Sequence, residues 1–208
     1  MRLMAGNQFD TIYHEHFSYF SFTTVERVFA RAELTLFDVE EIPTHGGSLR
    51  IYARHAADTD RAVTPRVAEL RQREAAAGLD TLAPYLAFSG RIRETKRQLL
   101  RFLLDAADVG RLVAGYGAPA KGNTLLNYCG VTPDLMPFTV DVSPHKQGLY
   151  LPGTRIPIAA PERVVETRPD YLLILPWNLR EEIMAQMAFI REWGGRFVVP
   201  IPEVTVLA

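Results

Sequence analysis

An α/β fold is predicted by three features of this 208-residue sequence. After Leu112, short apolar runs alternate with helical stretches, the pattern of right-handed strand–helix–strand crossovers and a parallel sheet. The first of those runs, Leu112-Val-Ala-Gly-Tyr116, leads into a glycine-bearing turn and then a helix, which is where a doubly wound sheet meets its ligands. Upstream, residues 34–42 and 48–53 flank Pro43-Thr-His-Gly-Gly47 and read as an antiparallel hairpin with a long loop.

Taken in order, residues 9–22 begin as an extended, aromatic-rich segment. Thr23 or Thr24 is the expected cap of a helix reaching about Arg31, with Glu26 in its first turn. After the hairpin, a polar linker starts at residues 58–60. Helices follow over 64–77 and 81–107, separated by Gly78-Leu79-Asp80, with Asp80 the expected cap and Pro84 tolerated near the start. Leu82, Leu86, Ile92, Leu99, Phe102 and Leu103 form the apolar stripe, and the basic run Arg91, Arg93, Lys96, Arg97 and Arg101 reads as a solvated face. Next come a loop over 117–122, a helix over 123–129 ended by Gly130, and a strand over 138–141. A short helix over 161–167, a strand over 171–175, a long helix over 180–193 stopped by Gly194-Gly195, and a strand over 196–199 complete the pattern. The expected organisation is a first part, 1–58, a helical connector, 59–109, and a Rossmann-like domain, 110–208.

Composition narrows the function classes. A formal net charge of -1 gives no global reason to expect nucleic acid or an anionic membrane as partner. The single cysteine, Cys129, excludes an internal disulfide and a thiolate zinc site, and fits a reducing compartment. No apolar run approaches the roughly 20 residues of a membrane helix, and the N-terminus is too soon polar for a signal peptide. The expected location is the cytoplasm.

Two constellations carry chemistry. Tyr13-His14-Glu15-His16, followed by Phe17, Tyr19 and Phe20, places two imidazoles and a carboxylate among aromatics able to exclude water. Histidine titrates nearest neutrality, and an adjacent carboxylate orients it or raises its basicity. The plain alternative is a strand end whose polar groups are merely hydrogen-bonded. In an extended strand Tyr13 and Glu15 share one side and His14 and His16 the other; the His-x-His spacing suits a metal, with His45 the one obvious further ligand, but no matching acidic or thiol set appears. The expectation is therefore no metal in this chain.

The second constellation is Gly115-Tyr-Gly-Ala-Pro-Ala-Lys-Gly-Asn123. Gly115, Gly117 and Gly122 let backbone approach a phosphate, the N–H groups up to Asn123 and the helix dipole favour an anion, and Lys121 adds a point charge. Asp141, ending the next strand, stands where dinucleotide folds carry a ribose-binding acid, and Asn178 follows Pro176-Trp177 at another strand end. The spacing Gly-x-Gly-x-x-x-x-Gly departs from the dinucleotide fingerprint, and the alternative is a tight strand-to-helix turn with a surface lysine. His45-Gly46-Gly47-Ser48 reads as a hairpin turn.

Together, Asp10-Thr-Ile-Tyr-His-Glu-His-Phe-Ser-Tyr-Phe-Ser21, Gly46-Gly-Ser-Leu-Arg50, Gly115-Tyr-Gly-Ala-Pro-Ala-Lys-Gly-Asn-Thr124, Lys146-Gln-Gly148 and Leu175-Pro-Trp-Asn178 resemble one family. It is the S-adenosylmethionine-dependent 3-C-methyltransferases of nucleotide-linked keto-deoxysugars. The resemblance covers nearly the whole chain and corresponds to the C-terminal part of the family. It implies that residues 1–58 are the remnant of a methyltransferase domain (helix plus antiparallel hairpin), and that 110–208 bind sugar nucleotide. It also implies that the donor-binding loop, and the zinc module of the family, lie outside these residues. The chain then corresponds to a fragment, a truncated reading frame or one partner of a split enzyme, with the complementary half as a separate chain. Carried over residue by residue, His16 is the general base, Glu15 its assisting carboxylate and Tyr13 the phenol holding the sugar or its enolate oxygen, with His14 also at the substrate. The implied partner is a nucleotide-diphosphate keto-deoxysugar. Two other readings stay open: a nucleotide-sugar-binding module without activity, and an NAD(P)-dependent oxidoreductase suggested by the glycine loop and Asp141.

Overall fold

The computed structural model describes residues 1–207, and of His45 its backbone alone, so the metal role considered for that side chain lies outside the described residues. The chain forms two compact units, one of Met1–Gly6 with Glu15–Gly90, the other of Asn7–His14 with Arg91–Ala208.

The first unit opens with α1 (Arg2–Ala5) and α2 (Phe22–Ala30). The expected cap moves back by two or three residues: Ser21 Oγ accepts from the Thr24 N–H at 3.2 Å. Strands β1 (Leu34–Ile42) and β2 (Ser48–His55) form the predicted hairpin, joined by a 3₁₀ turn at Thr44–Gly46. Its register shifts between Leu36 and Asp38. That extra residue decides the packing. Leu36 and Val39, three apart, would face opposite sides of a regular strand, yet both are buried. They meet Phe22 from α2 and Val67 and Leu70 from α3 (Pro65–Ala76), with Val25, Phe29, Ile51 and Ala53 packed around them. Each such side chain contributes about 1.5–3 kcal/mol on burial.

One charged residue shares that interior. Glu74 is buried on the same face of α3 as Val67 and Leu70. Its Oε1 accepts the Phe22 N–H at 2.7 Å, and its Oε2 accepts the Thr23 N–H and hydroxyl, each at 2.9 Å. A carboxylate from a distant helix thus caps the N-terminus of α2, satisfying orphan donors and complementing the dipole.

Helix α4 (Ala83–Asp108) carries the boundary between the units at Gly90 and Arg91. It starts three residues beyond Asp80, so Asp80 is not its cap. The second unit then builds β3 (Val113–Tyr116), α5 (Ala120–Cys129), β4 (Thr139–Val140), β5 (Ile158–Ala159), α6 (Glu162–Thr167), β6 (Tyr171–Ile174), α7 (Arg180–Gln186), β7 (Arg196–Val199) and β8 (Thr205–Leu207). The sheet runs β5-β4-β3-β6-β7-β8, parallel throughout except that β8 is antiparallel to β7. The expected parallel sheet is therefore mixed, and β5 and β8 are additions.

The chain winds outward from β3 through β4 to β5, then restarts beside β3 at β6 and winds the other way. The reversal between β3 and β6 is a topological switch point, and the loops leaving those two strands open the crevice where such sheets hold ligands. Leu125, Leu126, Leu172, Leu173, Ile174, Leu175, Ile190 and Phe197 fill the surrounding core. Cys129 is buried there, and burial pushes its thiol up to about 12.

Three further expectations change. Residues 9–22 are not a strand: Phe9–Thr11 is a 3₁₀ turn and the chain from Ile12 to Ser21 has neither helix nor strand, so the two-faced arrangement of Tyr13–His16 does not hold. Helix α5 starts at Ala120 and not Asn123, which puts Lys121, Gly122 and Asn123 in its first turn. The helix expected over 180–193 breaks at Met187 into α7 and a 3₁₀ stretch, Ala188–Trp193. Among the described residues no helix is long and apolar enough to cross a membrane.

Candidate functional site

The switch point of the second unit is built around Lys121. In the first turn of α5, it is 8% exposed. Its ammonium donates to Asn178 Oδ1 at 2.6 Å and lies 4.5 Å from the centre of the Trp177 ring. Both partners belong to the 3₁₀ turn Trp177–Leu179 that follows β6. Burial holds the Lys121 pKa below the ordinary ammonium value, against the opposing pull of the Asp10 charge. Asp10 completes the cluster. It is fully buried, its Oδ2 accepts the Trp177 indole N–H at 2.6 Å, and Oδ1 has no hydrogen-bond partner. Desolvation raises its pKa to about 6, while the Trp177 bond, the Lys121 charge and local N–H groups pull it down.

The glycines are used by packing. Gly117 has φ +87°, the left-handed region, and a Cβ there would lie 2.7 Å from Pro176 Cδ. A Cβ on Gly122 would lie 2.8 Å from Leu175 Cβ, so this glycine lets α5 approach the end of β6. Gly115, in β3, sits against Thr139, whose hydroxyl donates to the Gly117 carbonyl at 2.8 Å. Asp141 latches the same loop: Oδ2 accepts the Ala118 N–H at 2.7 Å and Lys146 Nζ at 3.3 Å, and Oδ1 accepts the Ser143 N–H at 2.8 Å. Lys146 also donates to the Ala118 carbonyl at 3.1 Å. Asn123 Oδ1 accepts from Asn127, whose amide also donates to the Pro152 carbonyl.

The methyl donor implied by the resemblance does not fit here. A Cβ at Gly117 or Gly122 would meet protein and not an open cradle, and both Asp141 oxygens are held by protein donors.

The Tyr13–His16 motif divides between the units. Tyr13, half-buried, and His14, exposed, fall in the second; Glu15 and His16, both exposed, fall in the first. Within the first, His16 Nδ1 and the Tyr19 hydroxyl are 2.6 Å apart, a contact that orients the ring. Phe17 is 99% exposed. Among the described residues no group of three His, Cys, Asp or Glu side chains is placed to hold a metal.

The structure therefore brings Lys121 and Asn178 into direct contact, and the Ala118 N–H that Asp141 holds follows Gly117 directly. Sequence reasoning missed Asp10 and the part played by Trp177, 167 residues apart. It also missed Tyr19 as a partner of His16; the i, i+3 spacing of a phenol and an imidazole was the available signal.

The model of the C-methyltransferase C-terminal domain matches residues 43–202. The chain is 41% identical over all 208 of its residues to C-methyltransferase NovU of Streptomyces niveus, of which it spans 49%. It is thus about half the length of that relative. The family model covers most of the chain, so this chain belongs to the C-methyltransferase family, its residues 43–202 matching the family's C-terminal domain.

Proposed function

We propose that this chain is the sugar-nucleotide-holding and proton-abstracting part of a C-methyltransferase that acts on a nucleotide-linked keto-deoxysugar in the cytoplasm. Residues 1–58 serve as the end of a methyltransferase domain, 59–109 as a connector and 110–208 as the sugar-nucleotide domain. S-adenosylmethionine supplies the methyl group and is held by residues other than these. In this reading a carbon next to the sugar ketone loses its proton to His16, and the electron pair moves onto the ketone oxygen as an enolate. Glu15 supports the imidazolium that forms, Tyr13 donates its phenol hydrogen to the enolate oxygen, and His14 contacts the sugar. Proton transfer by a positioned group of this kind contributes about 10²–10⁴-fold. The diphosphate lies at the first turn of α5, with Gly115, Gly117, Lys121, Gly122, Asn123, Asp141 and Asn178 forming or supporting that crevice.

The observation that carries the reading is the His16–Tyr19 contact, 2.6 Å, on an exposed segment outside any helix or strand. It supports an imidazole oriented for chemistry and not consumed by packing. The test is exchange of the sugar's α-proton with deuterated solvent, run on the chain together with its methyltransferase half. His16→Gln is expected to abolish exchange while leaving sugar-nucleotide affinity unchanged; exchange as fast as wild type removes His16 from the role. Calorimetry on the chain alone is expected to show binding of nucleotide-diphosphate sugar and none of S-adenosylmethionine. A second reading, a sugar-nucleotide-binding module without activity, is favoured by the lack of fit of the methyl donor at the glycine turn. Binding without proton exchange in the combined preparation would select it. NAD(P) binding tighter than sugar-nucleotide binding would favour the oxidoreductase.

A further inference from the structure

We propose that Asp10 is a positioning residue, whose carboxyl grips the Trp177 indole beside the Lys121 ammonium and so couples the switch-point crevice to the backbone presenting Tyr13 and His14. The role in turnover rests on the function proposed above; the coupling itself does not.

The segment Asn7–His14 belongs to the second unit. Asn7 Nδ2 donates to Thr95 Oγ1 on α4 at 2.6 Å and to the Pro202 carbonyl at 3.0 Å. Phe9 meets the Tyr128 ring of α5 edge to face, at 5.3 Å between centroids. Those two anchors already tie the buried turn to α4 and α5. A third anchor that is a fully buried carboxyl, with one oxygen lacking any hydrogen bond, costs free energy that a packing role does not require. What Asp10 adds is a link. Its partner Trp177 lies in the turn after β6 and under the Lys121 ammonium, which in turn holds Asn178. Lys121 stands in the first turn of α5. A ligand that draws Lys121 or Asn178 toward the crevice changes the charge and the ring that face Asp10. Asp10 sits in the turn Phe9–Thr11, closed by the Thr11 N–H on the Gln8 carbonyl at 3.2 Å and the Ile12 N–H on the Phe9 carbonyl at 3.0 Å. Tyr13 is the next residue. The groups facing the carboxyl are the Trp177 N–H, the Lys121 ammonium and the N–H groups of Asp10 and Thr11.

The test uses the whole chain, ¹⁵N-labelled, as wild type and with Asp10→Asn, Asp10→Ala or Trp177→Phe. In wild type the Trp177 indole resonance should titrate with a midpoint near pH 6, as Asp10 does. The Trp193 indole, which donates to the Pro169 carbonyl, is the internal reference and should not follow. Asp10→Asn should abolish that titration and still fold. Asp10→Ala and Trp177→Phe should speed amide exchange at Thr11 and Ile12 more than tenfold, with β3 and β6 unchanged, and shift the Tyr13 and His14 resonances. Exchange at Thr11 and Ile12 equal to wild type in both variants, or a rise spread evenly over β3 and β6, overturns the proposal. In turnover Asp10→Ala should lower kcat with KM within about twofold, as expected when geometry for the chemical step is lost, and Asp10→Asn, which keeps an oxygen to accept the Trp177 indole, should recover most of the loss. If His16→Gln leaves proton exchange intact while these local effects appear, the functional reading fails and the coupling stands.

Discussion

Replacing Glu74 with alanine tests whether one buried carboxylate organises the first unit. The change removes three charge-assisted hydrogen bonds, to the Phe22 N–H, the Thr23 N–H and the Thr23 hydroxyl, at 2.7–2.9 Å. Hydrogen bonds to charged groups contribute roughly 1.5–3 kcal/mol each, and a buried donor left without a partner costs about 1–3 kcal/mol. Phe22 is 1% exposed, so its N–H has no route to water in the variant; Thr23 is half-buried and recovers part of its loss. The expected destabilisation is about 3–5 kcal/mol, centred on the start of α2. Glu74→Gln keeps one acceptor but turns an amide N–H toward a backbone N–H, and should cost about half as much. Arg71→Ala is the control: its pair with Glu26 also joins α2 to α3 but is exposed on the arginine side, and its loss should cost no more than about 1 kcal/mol. The assay is urea unfolding read by amide exchange of α2. If Glu74→Ala lies within about 1 kcal/mol of wild type, or costs no more than Arg71→Ala, the capping argument is refuted.

Asp10 has a folded pKa of about 6 against an ordinary 3.8, so its contribution to stability is full below pH 4 and lost as pH rises through 6; the difference, about 3 kcal/mol, should vanish in Asp10→Asn when unfolding is compared at pH 4 and pH 7.5. Gly122→Ala should destabilise by about 1–3 kcal/mol in thermal unfolding, since its Cβ would press on Leu175. Gly90→Ala, in α4 with nothing within 4 Å of the added Cβ, should stabilise by roughly 0.5–1 kcal/mol; the opposite order of these two would contradict the packing described.

Where local pattern decides structure, the sequence was readable. Leu34–Ile42 and Arg196–Val199 are the strands their apolar content predicts, and Gly130 ends α5 in the left-handed conformation. The failures have physical causes. Strands β5 and β8 are two and three residues long, too short to show periodicity, and exist because a neighbour supplies hydrogen bonds. Ile183, Met187 and Ile190 are buried at helical spacing whether the last turn is α or 3₁₀, so the break at Met187 left no trace in the pattern. Of the site, the residues within each motif were legible, but the Asp10–Trp177 bond was not, because nothing near Asp10 encodes a partner so distant. Glu74 was within reach: a charged residue seven positions after Val67, on the stripe that also carries Leu70, signals a buried carboxylate with partners to find.

Cys129 has a practical consequence. Thiol chemistry proceeds through the thiolate, and a group pushed up to about 12 is almost wholly protonated at neutral pH, besides being shielded in the core. Maleimides, spin labels and mild oxidants therefore pass it by in the folded chain. The native sequence is already a single-site labelling background. A cysteine introduced at exposed Ser18, or at exposed Glu162 on the second unit, would be the sole reactive thiol, and slow modification of Cys129 itself would count the molecules that open.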